Sequence, residues 1–305
     1  MILVTGGTGF IGSILVRQLT NSGYPVRLLI HPSKDSPKIP KSIPVEVAVA
    51  SLSDERGIRA ALKDVNIIYH LAGAERMGSR ANLMQVEIEG SRTISKMAKE
   101  VSIERLIFLS HIGADRASAF PLLKAKGIAE HNIKGAGVDF TIIRSAIVFG
   151  EKDHFTNNLA RLVKLAPGLM FLPGDGNTLI QPIAVEDLVT CLIWTLDLPQ
   201  TVNQILEIGG PEYLSIKEVL LMIMNKIGHK RILYEINPVY LSFLTELLET
   251  FSSKFPTSVF WLDYLAENRI CSLNSVPNIF NLSPTRFSHR IDYLKYKNAK
   301  IKKLR

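Results

Sequence analysis

The sequence predicts an α/β fold: a doubly wound parallel sheet with a smaller, mainly helical C-terminal lobe. Three observations predict it. Short apolar runs alternate with helical patterns through the first half, a glycine-rich turn follows the first run directly, and beyond Ser215 the pattern turns mainly helical. Strands alternating with helices imply βαβ units with right-handed crossovers, and hence a parallel sheet.

Taken in order, Ile2–Thr5 is the first apolar run and reads as a strand. Phe10, Ile11, Leu15, Val16 and Leu19 then recur at helical spacing as far as Asn21-Ser22-Gly23, a helix stop. Pro25–Ile30, Val45–Ala50, Asn66–Leu71, Leu106–Leu109 and Phe140–Ile143 read as five further strands, and segments 54–63, 85–100 and 122–134 as the helices between them. Pro167-Gly168 and Pro173-Gly174-Asp175-Gly176 are loop clusters that break the alternation. Helices are expected at 216–228, 239–252 and 258–267, with a short one near 284–294. In the second of these, Tyr240, Leu241, Leu244, Leu247, Leu248 and Phe251 form an apolar stripe, expected to face the core of the lobe.

Composition narrows the class. Hydrophobic residues make up 47% of 305 and charged residues 21%, which supports a full core and excludes a disordered or fibrous chain. No apolar run reaches the ~20 residues of a membrane helix. The opening Met1-Ile2-Leu3-Val4 shows no basic region or cleavage site, and Cys191 and Cys271 are too few for a disulfide framework, so a cytoplasmic, reducing location is expected. Of 36 basic and 28 acidic residues, six basic and no acidic ones lie in 295–305, leaving the body at 30 − 28 = +2 of the net +8. That tail reads as a solvated end, with contact to an acidic partner or membrane surface as its alternative; no specific nucleic acid is expected. The seven histidines show no metal-ligand spacing, and no metal is expected.

The chemistry begins at Thr5-Gly6-Gly7-Thr8-Gly9-Phe10-Ile11-Gly12. The run follows a strand and opens a helix, the context in which a G-x-G-x-x-G turn binds a dinucleotide. One glycine allows the tight turn, one lets the pyrophosphate approach the backbone, and one lets helix and strand pack closely. The helix N-terminus offers unpaired N–H groups to the phosphates. At the end of the second strand, an acid that would grip the ribose of NAD is missing; His31 and Lys34 follow instead and suit a 2′-phosphate. NADP(H) is therefore favoured, with NAD(H) possible.

Further landmarks come in order: His70-Leu71-Ala72-Gly73, Glu89-Gly90-Ser91, Phe108-Leu109-Ser110, Lys126-x-x-x-Glu130, Arg144, Gln181-Pro182-Ile183-x-Val185-x-Asp187 and Glu207-Ile208-Gly209-Gly210-Pro211. Together with the glycine turn they resemble the extended short-chain dehydrogenase/reductase superfamily over residues 1–294. Within it the chain looks closest to the atypical branch, which includes NmrA-like proteins and the nucleotide-binding accessory subunit of respiratory complex I. The resemblance implies a Rossmann core at 1–150, completed by parts of 178–210, a substrate-side lobe at 151–177 and 211–294, and a basic tail at 295–305. It implies cofactor contacts at Leu71, Ala72 and Gly73, and at Lys126 toward the nicotinamide ribose.

Catalysis in the superfamily uses a Tyr-x-x-x-Lys pair, in which the lysine lowers the tyrosine pKa so that the phenol exchanges a proton with the substrate oxygen. Here Lys126 is present but Leu122 holds the tyrosine position, and no tyrosine lies between Tyr69 and Tyr213. Ser110 stands at the family's strand-end serine, and the neighbouring His111 is a candidate general acid. Ser51, Glu87 and Ser145 also depart from the pattern. Two functions follow: an oxidoreductase or isomerase acting on an unidentified small molecule, or a non-catalytic nucleotide-binding sensor or accessory factor of a larger complex.

Overall fold

The computed structural model describes residues 1–33, 43–75, 81–251 and 259–295. Lys34 and residues 296–305 of the basic tail therefore lie outside the described residues. The chain divides into two compact units. The first comprises Met1–Glu75, Ala81–Ser145 and Leu188–Glu207, and the second includes Ala146–Asp187 and the chain from Ile208 onward.

The first unit is built on β1 (Ile2–Thr5), β2 (Val26–Ile30), β3 (Glu46–Val49), β4 (Ile67–His70), β5 (Arg105–His111) and β6 (Phe140–Ser145). Their helices are α1 (Phe10–Asn21), α2 (Glu55–Ala61), α3 (Gly90–Glu100) and α4 (Pro121–Lys134). Every pairing from β3 through β2, β1, β4 and β5 to β6 is parallel. β11 (Gln204–Ile208) joins beyond β6, completing the order β11-β6-β5-β4-β1-β2-β3. A sheet covered on both faces needs apolar strands throughout, which is why Leu3, Ile68, Leu106, Phe108 and Ile142 are all buried with Ile58, Ile94 and Met97 from the helices. The strand order reverses at β1, between β2 and β4, and the glycine turn leaves β1 there. In open α/β sheets, ligands bind at the carboxyl ends of the strands at such a reversal.

Two details depart from the expected elements. The helix expected over 85–100 opens as a π-type turn, Met84–Glu89, before α3 proper. The extra residue per turn re-aims a side chain, and Glu87 comes to lie in the interior. The other detail is Arg105, buried at the start of β5. Its guanidinium donates to the hydroxyls of Thr141 and Thr201 and, at 2.6 Å, to the carbonyl of Thr195. Burial lowers its pKa, against the raising pull of Tyr69 and Asp139.

The second unit contains β7 (Val148–Phe149), α5 (Phe155–Leu165), β8 (Leu169–Pro173), β9 (Leu179–Ile180) and β10 (Ile183–Ala184). α6 (Val185–Trp194) carries the chain back to the first unit. After β11 come β12 (Leu214–Ser215), α7 (Ile216–Ile227), β13 (Ile232–Ile236), α8 (Pro238–Phe251), α9 (Val259–Tyr264), α10 (Ser275–Phe280) and α11 (Phe287–Arg290). α7 is framed by a capping box between Ser215 and Glu218 and ended by Gly228 in the left-handed region. Buried Asp153 accepts bonds from the Gly150 and Thr156 amides and the Thr156 and Tyr293 hydroxyls, tying the chain near its described end to the start of α5.

β13 lies between two of the expected helices and pairs in parallel with β8, in a region that stays mainly helical. One expectation needs correction. The α8 stripe is only partly inward: Leu241 and Leu248 are half-buried, Tyr240 is 70% exposed, Leu244 and Leu247 face outward, and the Phe251 side chain lies outside the described residues. Among the described side chains of the helix, Thr245 is the buried one at 2% exposure. Spacing identifies an apolar side of a helix but not what lies against it. Among the described residues, no helix is long and apolar enough to cross a membrane.

Candidate functional site

The glycine turn is assembled by backbone constraints. Gly6 has φ +70, and a Cβ there would stand 2.5 Å from the Leu71 carbonyl oxygen. Gly12 lies in the first turn of α1 so close to the loop that a Cβ would stand 2.2 Å from the Gly6 carbonyl oxygen. Gly9 caps α1 with φ −75, and its missing Cβ would meet only the Gly6 carbonyl oxygen, at 3.1 Å. No side chain caps this helix and no acid occupies its first turn. The amides of Phe10, Ile11 and Gly12 precede the first intrahelical donor, the Ser13 amide bonded to the Gly9 carbonyl, and are the orphan donors of the helix start. Bare donors, a partial positive charge and a mouth clear of side chains fit a dinucleotide pyrophosphate. Gly7 packs on Leu28 beneath the turn, and Thr8 is exposed at its rim.

Thr5 links this turn to the end of β4. Its hydroxyl shares a 2.8 Å hydrogen bond with His70 Nδ1 and accepts from the Ala72 amide at 3.2 Å. His70 is buried and stacked on Phe108 at 5.6 Å, and burial, aided by the Lys126 charge, pulls its pKa down to about 3. It is a neutral structural group that fixes the Leu71-Ala72-Gly73 segment against the glycine turn. His31 is exposed just beyond β2.

Lys126 lies on α4, inside the protein. Its Nζ is 3.0 Å from Glu87, 3.8 Å from Glu75, and 5.2 Å from the centroid of the Phe108 ring. Burial works to lower the lysine pKa, but Glu87 and Glu75 outweigh it and hold the ammonium above its ordinary value. Glu87 also accepts from the Ala74 amide at 2.8 Å, and a Cβ on Gly73 would stand 3.1 Å from Glu75 and 3.3 Å from Glu87. His111 reaches the same cluster through Nε2, 3.0 Å from Glu75. The site residues Lys126 and His111 thus come together through the Glu75 carboxylate, with Glu87 on the lysine alone. Glu87 was recognisable in the sequence only as a departure from the family pattern, and Glu75 carried no signal there.

Ser110 and Leu122 are placed differently. The Ser110 hydroxyl is fully buried and donates to Glu130 at 2.6 Å, and Arg144 holds the same carboxylate with bonds of 3.0 and 2.7 Å. Leu122, one turn before Lys126, is packed at 7% exposure.

Fold, strand reversal and glycine turn together define a dinucleotide-binding protein of the Rossmann class. Residues 6–161 match the model of the NAD(P)H-binding family, and the chain belongs to that family. It is 30% identical over 222 residues to the mitochondrial NADH dehydrogenase (ubiquinone) 1 alpha subcomplex subunit 9 of Arabidopsis thaliana, matching 71% of this chain but only 55% of the length of that subunit. Over 253 residues it is 28% identical to the sterol demethylase protein B of Methylococcus capsulatus, covering 75% of each. Among solved structures, a UDP-glucose 4-epimerase from Thermotoga maritima superposes with a TM-score of 0.73 over 98% of this chain and 99% of that one, at 18% identity, a likeness of fold alone.

Proposed function

We propose that the chain holds NADP(H) in its Rossmann unit and serves by binding it, as a nucleotide-responsive accessory protein, without tyrosine-dependent hydride exchange. When bound, the dinucleotide supplies hydride chemistry at its nicotinamide; the protein side of that chemistry needs a proton donor. The observation that carries the reading is Leu122 at the tyrosine position, buried beside Lys126. An alkyl side chain has no proton to give. The Ser110 hydroxyl supports the same reading, being fully buried and given to Glu130. The Arabidopsis relative is by name a subunit of a larger enzyme, which is consistent with an accessory role.

The preference for NADP(H) rests on His31, exposed past the end of β2 where no acid stands, with Lys34 three residues on. The test is titration of NADPH and NADH by fluorescence. Tighter binding of NADPH and a shift toward NADH in His31→Asp are expected; equal affinity in both proteins overturns the preference, and negligible binding of both by folded protein overturns the whole reading.

A second reading is favoured by one contact. His111, Glu75 and Lys126 form a string of titratable groups with spacings of 3.0 and 3.8 Å, so His111, hydrogen-bonded to the Glu75 carboxylate, would act as the general acid for reduction of a small-molecule substrate. A panel of carbonyls and alcohols distinguishes the two. Turnover abolished by His111→Ala but retained in Ser110→Ala establishes the second reading and displaces the first.

A further inference from the structure

Among the described residues of the second unit, a set of large apolar side chains on adjoining elements stands exposed. β8 and β13 pair with Leu169 opposite Ile232 and Phe171 opposite Tyr234, so these side chains share one face, and all are exposed. The Phe171 and Tyr234 rings meet edge-on at 6.4 Å. Two residues after β13 the chain enters α8, where Val239, Tyr240 and Phe243 stand 69–71% exposed while Thr245 is buried. Single exposed apolar residues are ordinary; a run of large ones on adjoining elements marks a contact surface.

Charge indicates what the surface meets. Lys164 precedes β8, and Lys230 and Arg231 lead directly into Ile232, so cations gather where both strands begin. Lys226, at the end of α7, holds Asp292 at 2.8 Å and fixes the root of the basic C-terminal run near the same place. From Lys295 onward the sequence has six basic residues and no acidic one. The ten residues past Lys295 reach at most ~35 Å.

We propose that this face docks on an anionic lipid surface. The aliphatic and aromatic side chains of the ribbon and α8 enter the headgroup boundary, and the adjoining basic run is drawn to the acidic headgroups. Stable interfacial attachment combines apolar burial with cationic attraction, and both are present here. An acidic protein would satisfy the cations but leave Ile232, Val239 and Phe243 in water. A second copy would set one basic run beside another.

The experiment is flotation of the full chain with vesicles of phosphatidylcholine alone and of phosphatidylcholine containing about 30% phosphatidylserine. Flotation with the second and not the first is expected, weakening with salt. Val239→Glu with Phe243→Glu, and separately removal of 296–305, are each expected to lower anionic-vesicle binding at least ~10-fold with NADPH affinity unchanged, which shows that the variants remain folded. No flotation with anionic vesicles at low salt overturns the proposal. So does flotation unaffected by the glutamates, and so does self-association that they abolish in the absence of any vesicle binding.

Discussion

At Lys126 a full positive charge sits almost out of reach of water, held there by Glu87 at 3.0 Å and Glu75 at 3.8 Å. Removing one partner of a buried pair strands the other, so Glu87→Gln is expected to cost about 3 kcal/mol in urea unfolding. The double variant with Lys126→Met should lose less than the two single losses combined. The raised lysine pKa gives the pair a defined pH window. Its stabilisation is fully present below the unfolded value of about 10.4 and is lost as pH climbs through the higher folded value. His70 works in the opposite direction. Its pKa falls to about 3 in the folded protein. Its contribution is therefore intact above the unfolded value near 6.5 and drains away by up to ~1.4 kcal/mol per pH unit below it. Urea unfolding at pH 7.5 and 5 should show this slope in wild type and a shallower one in His70→Asn; equal slopes would remove His70 from the account. Lys126, Ser110 and Leu122 were legible as positions because motif spacing is local. What holds them was less so: Glu130 shares α4 and its motif with Lys126, but Glu75, Glu87 and Arg144 arrive from three other segments brought together only by the fold.

The element on which binding depends is the junction of β1 and α1, where its glycines do separable work. A Cβ at Gly12 would press into the Gly6 carbonyl at 2.2 Å, backbone against backbone with nothing free to move aside. Gly12→Ala is expected to destabilise the protein by about 2–3 kcal/mol. Gly9→Val, in ordinary φ space with an open mouth, should keep the thermal midpoint within a few degrees while weakening NADPH binding at least ~10-fold. Should Gly9→Val bind as wild type, the phosphates do not sit on that turn. The parallel strands were legible because burial on both faces leaves near-continuous apolar runs, and α7 because Ser215, Glu218 and Gly228 mark its ends. The two-residue strands β7, β9, β10 and β12 are too short to show any period. The π-type turn at Met84–Glu89 shares its composition with an ordinary helix start, which is why it was not foreseen.

For the whole molecule, charge and fold are unevenly distributed. Removing 296–305 takes away five basic residues and lowers the net charge from +8 to 8 − 5 = +3. Tyr293, bonded to Thr156 and Asp153, and buried Leu294 would stay in place, so the melting temperature should be unchanged. Tyr293→Phe, in contrast, takes a donor from a buried carboxylate. It should lower the midpoint by about 2–6 °C for a loss of 1–2 kcal/mol, measured by circular dichroism.

The Arg105 clamp also has a consequence in time. Its partners Thr195 and Thr201 belong to the third stretch of the Rossmann unit, which returns at Leu188 after the chain has made a long excursion. A ribosome has released β1 to β6 by Ser145, yet the guanidinium then lacks two of its acceptors and the outer edge of β6 has no neighbour. At ~5–20 residues per second, the stretch to Thr201 takes roughly three to eleven seconds to synthesise. Throughout that interval the nascent protein presents an open strand edge beside a guanidinium still open to water, a state that invites chaperone capture or pairing with a neighbouring chain on the same message.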